Sequence, residues 1–65
     1  MSLIELTNYC NDKGYDLFPV REKEGVRCIV FKDDKKLKEG NKVYKTWIEC
    51  QRESYMKIYL KLTTL

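Results

Sequence analysis

Three cysteines, Cys10, Cys28 and Cys50, stand far apart in a chain of 65 residues, and an odd number of thiols cannot all pair. No C-x-x-C spacing joins any two of them. The chain thus shows no covalent staple at a length where folding is marginal. A domain of about 60 residues buries only about 60% of the surface that its unfolded form exposes. Ordering costs about 1.5 kcal/mol per residue, which nearly cancels that burial. Such a chain needs regular elements around one core, so a single domain over residues 1–65 is expected, with little room for an enclosed pocket. A buried cysteine behaves as a small hydrophobe, and three reduced core thiols are expected. Reduced thiols point to a cytoplasmic setting. Met1-Ser2-Leu3-Ile4-Glu5 lacks the basic-then-apolar layout of a signal peptide, and no run of roughly 18 apolar residues could span a membrane.

The first segment is punctuated as a helix over residues 2–13. Ser2 and Glu5 have the spacing of a capping box, in which each side chain satisfies a backbone donor of the first turn. Leu3, Leu6, Thr7 and Cys10 recur at three- and four-residue steps, Lys13 suits the negative end of the helix dipole, and Gly14 suits the position after the cap. From Tyr15 the period becomes two. Phe18 and Val20 fall on one face of a short strand and Tyr15 and Leu17 on the other, while Pro19, which cannot donate to a ladder, places that strand at an edge. Lys23-Glu24-Gly25 reads as a turn. Val26 to Lys32 reads as a central strand covered on both sides, because Cys28-Ile29-Val30-Phe31 is apolar at every position. Asp33 to Asn41 is polar and lysine-rich and reads as a loop, pinned back to the body by Leu37.

The last third carries two periods at once. Tyr44, Ile48, Gln51, Tyr55, Ile58 and Leu62 would line one face of a helix over 42–62. Met56, Ile58, Leu60 and Leu62 also alternate with Lys57, Tyr59 and Lys61, in a segment rich in aromatic and β-branched residues, which favours strands. Two strands, Lys42–Gln51 and Ser54–Thr63, joined at Arg52-Glu53-Ser54, put Ile48 and Cys50 on the same face as Met56 and Ile58. Ser54 is a poor substitute for glycine in such a turn. The expected architecture is α+β, an N-terminal helix packed on a small antiparallel sheet in the order α-β-β-β-β, with a helical C-terminal segment as the alternative.

The inventory for catalysis is thin. There is no histidine, Ser2 is used as a cap, Ser54 lies in the expected turn, and the acids and thiols show no ligand spacing. No enzyme, metal or cofactor is expected. Thirteen basic residues against 10 acidic ones leave a net charge of only +3, less lopsided than a dedicated nucleic-acid module. Under the hairpin reading, Lys45, Trp47, Glu49, Gln51, Tyr55, Lys57, Tyr59 and Lys61 share the outer face. Aromatics among lysines suit a protein interface, where tryptophan and tyrosine act as anchors, or a single-stranded nucleic-acid platform. They equally suit a solvent-side cover of the sheet. Lys35, Lys36, Lys38 and Lys42 form a second candidate, a basic loop whose field Asp33, Asp34 and Glu39 dilute. Leu60 to Leu65 form a third, an edge strand open to a second copy or another protein. The expectation is a small non-enzymatic protein that docks on a larger protein and modulates or inhibits it. Chains of this size and composition resemble accessory proteins of phages and mobile elements, including inhibitors of host defence. A nucleic-acid module is the alternative, and a homodimer a third reading.

Overall fold

In the computed structural model, which describes residues 1–64, helix α1 (Leu3–Asp12) leads into strands β1 (Tyr15–Glu22), β2 (Gly25–Lys32) and β3 (Lys35–Glu39), and helix α2 (Trp47–Thr63) follows. The fold is α+β, with a helix at each end of a three-stranded antiparallel sheet in the order β1-β2-β3. The capping box of α1 is formed as its spacing predicts. The Glu5 amide donates to Ser2 Oγ at 3.2 Å, and the Ser2 amide donates to Glu5 Oε1 at 3.0 Å. Gly14 ends the helix with φ +91°, a conformation that side chains rarely adopt. Its carbonyl then accepts from the Asp33 amide at 2.8 Å, which ties the start of β1 to the far end of the hairpin.

Pairing of β1 with β2 runs from Tyr15↔Lys32 to Glu22↔Gly25, so β1 is the edge strand that Pro19 implies. On β2, Val26, Cys28 and Val30 are buried, and Tyr15 and Leu17 of β1 join them on the same face. The expected cover on the other face of β2 is absent among the described residues. Ile29 and Phe31 are half-buried there, and Phe18, beside them on β1, is 58% exposed. Both helices pack on one face, so the other meets solvent.

Residues 33–41, expected as a loop, contain a strand. Asp33 and Asp34 both have positive φ, 52° and 65°, the backbone of a two-residue type I′ turn. The chain then doubles back as β3. All five β3 residues are exposed, so no apolar alternation marks it, and backbone pairing with β2 defines it. The register shifts within β3, because Val30 pairs with Lys38 and Phe31 with Lys36, leaving Leu37 as the extra residue of a bulge.

The expected last two strands are one helix. Thr46 caps it, accepting from the Glu49 amide at 3.2 Å, a pair that takes the expected strand out of register at its start. Trp47, Gln51, Tyr55 and Ile58 then recur at three- and four-residue steps on its buried side. Ile48, expected in the core, is 58% exposed, and Trp47, expected outside, packs against the core. Tyr44 precedes the helix and forms an isolated bridge to Val26. Residues 60–63 belong to α2 and form no edge strand, and Leu65 lies outside the described residues. No helix among the described residues is long and apolar enough to cross a membrane.

Two clusters make the core. Val26, Cys28, Val30, Tyr44 and Cys50 close the sheet against α2, and Leu6, Cys10 and Tyr55 close α1 against α2. All three cysteines are buried and unpaired, as expected. Tyr15, Leu17 and Ile58 touch both clusters and so join the three layers of contact into one.

Candidate functional site

The side chains expected to share one hairpin face are distributed around α2. Tyr55 is 3% exposed, and its hydroxyl lies 3.4 Å from the Asn11 side chain, so it is a core residue. Tyr59 meets Tyr9 edge-on at 5.1 Å and closes the helix pair. Trp47 and Lys45 border a shallow hollow with Pro19, Arg21 and Val26 near the turn between β1 and β2. Gln51 is half-buried and Glu49 exposed. Lys57 and Lys61 remain, exposed and one turn apart on the flank of α2 that faces β3.

The lysines of the expected basic loop also part company. Lys36 lies on the open face of the sheet, bonded to Glu39 at 2.9 Å in a chain of ion pairs that continues through Arg27 to Glu22. Lys35 opens β3 opposite Lys32. Lys42 bonds Glu53 at 2.9 Å and sits 4.9 Å from the centre of the Tyr44 ring. That contact holds the Glu53 carboxyl below its usual pKa. Lys38 points the other way, toward α2.

Between β3 and α2 the sheet is left uncovered, and a trough of about 360 Å³ results. Tyr15, Val30, Leu37, Ile58 and Leu60 give it apolar walls, and Lys38, Lys57 and Lys61 border it. It continues into a more polar hollow of about 230 Å³, lined by Cys28, Glu39, Gly40, Asn41, Lys42, Tyr44 and Ser54, through the shared residues Val30, Lys38 and Lys57. No acidic side chain lines the apolar part. Among the described residues, none of Lys38, Lys57 and Lys61 lies within ion-pair distance of an acid. Leu37, expected to anchor a loop, is 57% exposed at the lip, and Leu60 is 53% exposed across from it.

The arrangement brings Lys38 of the expected basic loop beside Lys57 and Lys61 of the expected hairpin face, a grouping that neither expectation made. Leu60 was expected on the core face of a terminal edge strand and Leu37 as the anchor of a loop, so neither was placed beside these lysines. Cys28 Sγ lies 3.3 Å from Ser54 Oγ, and burial, with Cys28 alongside, pushes the Cys50 thiol up to about 11. Such a thiol stays protonated at neutral pH and is a poor nucleophile. What the trough offers is apolar surface bordered by positive charge. No protein-family model matches the chain, and neither does a curated protein or a solved structure.

Proposed function

We propose that this chain is a non-enzymatic binding module that docks on a larger protein and modulates it, with the trough between β3 and α2 as the docking site. The observation that carries this reading is an apolar trough bordered by three lysines, none of which is in ion-pair contact with an acid among the described residues. Exposed leucines gathered on one apolar surface and rimmed by charged residues mark a place that a partner covers. The trough is shallow, which suits a segment of another protein better than a small molecule. A partner so engaged would be altered by occupation of its surface, as expected of an inhibitor or accessory factor. The nucleic-acid reading has weaker support. It needs aromatic rings interleaved with free lysines, whereas Tyr55 is buried, Tyr59 is spent on Tyr9, and Phe18 and Phe31 lie on the opposite side of the sheet from Lys38.

The test is affinity capture from a host lysate by the wild type and by the double variant Lys57→Glu/Lys61→Glu, with and without nuclease. Both lysines are exposed, so the variant should keep the circular dichroism of the wild type. The expected result is a nuclease-resistant protein partner whose affinity falls at least about tenfold in the variant. Capture that vanishes with nuclease, or a partner held equally by both proteins, would refute the reading.

A further inference from the structure

We infer that the partner presents an acidic, extended segment that adds to the free edge of β3 as a fourth strand and drops its alternate side chains into the trough. This rests on the trough being the docking site, and it adds the chemistry and conformation of what docks there. Three observations carry it. β3 pairs with β2 alone, so the backbone donors and acceptors along its outer edge have no strand partner. Strand addition uses such an edge, with main-chain bonds giving affinity and pockets for alternate residues giving specificity.

The second observation is the bulge. In an unbroken strand Leu37 would face away from Lys38. Here Lys36 and Glu39 both reach the open side of the sheet, where they bond to each other and Glu39 to Arg27. Leu37 and Lys38 both line the trough. Bulges re-aim side chains, and they are common at sheet edges, where they usually blunt pairing. This one turns a leucine toward the trough and leaves it exposed at the lip, which is the reverse of protecting the edge.

The third is charge. Among the described residues, Lys35 and Lys38 on β3, and Lys57 and Lys61 across the trough, lack an ion-paired acid. A second copy of β3 laid parallel and in register would set lysine against lysine, and like charges opposed on neighbouring strands are destabilising. Four lysines in and across from the edge are better matched by carboxylates than by a second lysine-rich strand. A strand running beside β3 at about 4.8 Å would place every second side chain above Leu37, Ile58 and Leu60. Apolar residues at those positions and acids between or beyond them satisfy both parts of the surface.

Panning the folded protein against a library of short random peptides tests this without a known partner. The expected winners combine Asp or Glu with apolar residues at two-residue spacing. The best winner should slow amide hydrogen exchange in β3 by about tenfold or more. N-methylation of its edge-facing amides should abolish binding, and Lys57→Ala/Lys61→Ala should weaken it by about tenfold. No enrichment, winners that are basic or have apolar residues at helical spacing, or β3 exchange unchanged by a bound winner would each overturn the inference. Winners that depend on Lys57 and Lys61 but tolerate N-methylation would overturn strand addition and leave the trough as a docking site. Winners indifferent to both lysines would remove the docking site as well.

Discussion

Cys50 and Tyr44 lie side by side under the start of α2, and burial makes ionisation costly for both. Burial first, then the neighbouring Cys28, pushes the Cys50 thiol up to about 11, and burial first, then the charge of Glu53, pushes the Tyr44 phenol up to about 12. In the unfolded chain the same groups ionise near their ordinary values, roughly 8.5 for cysteine and 10 for tyrosine. The folded state therefore holds protons that the unfolded state releases. Stability from this source is complete below about pH 8.5 and is lost as pH rises toward 11 to 12. Urea midpoints should accordingly be flat from about pH 6 to 8 and fall steadily above about 9. In Cys50→Ala the fall should be smaller over its first part, where the thiol supplies it. A midpoint equally steep in that variant would show that Cys50 is not the group responsible.

At the scale of elements, the phase of α2 is the feature most open to a decisive test. Trp47 packs on the core and Ile48 is exposed. Trp47→Ala should cost about 2–4 kcal/mol, below or within the range for a buried aromatic because the ring is only partly covered. Ile48→Ala should stay within about 0.5 kcal/mol of wild type. The opposite order of urea midpoints would restore the hairpin. The elements differ in how far they could be read from residues alone. α1 was legible because its cap, its stripe and its glycine all agree. β1 was legible from Pro19 and its period of two, and β2 from its apolar run, although that run suggested a cover on both faces where only one is present among the described residues. Residues 56–62 fit both periods, since Ile58 and Leu62 belong to the strand pattern and to the helix pattern alike. The choice is made by the face of β2 that carries Val26, Cys28 and Val30, which needs a helix across it, and by the Thr46 cap. β3 carries no apolar alternation at all, and only the Asp33-Asp34 turn announces it. The trough was legible as lysines but not as a place, because Lys38 and Lys57 approach one another only once 47–63 is a helix.

Across the whole molecule, contacts fall into two classes of very different reach. The meander of β1, β2 and β3 is stitched through two tight turns, Lys23-Glu24 and Asp33-Asp34, and joins residues close in sequence. The helix pair is joined across most of the chain, as in the contact of Cys10 Sγ with the Tyr55 carbonyl at 3.5 Å. Closing a long loop carries an entropic cost that short hairpins avoid. The meander should form first and the helix pair last. In a chevron analysis, Val30→Ala should slow folding, whereas Leu6→Ala should mainly speed unfolding, with a φ-value of about 0–0.3. Equal φ-values at the two sites would contradict that order. The same separation matters during synthesis. Leu6 and Cys10 are made early and stay uncovered until Tyr55 has left the exit tunnel, so a nascent chain whose α2 is still inside it presents an unpaired apolar helix, the species on which a chaperone would act.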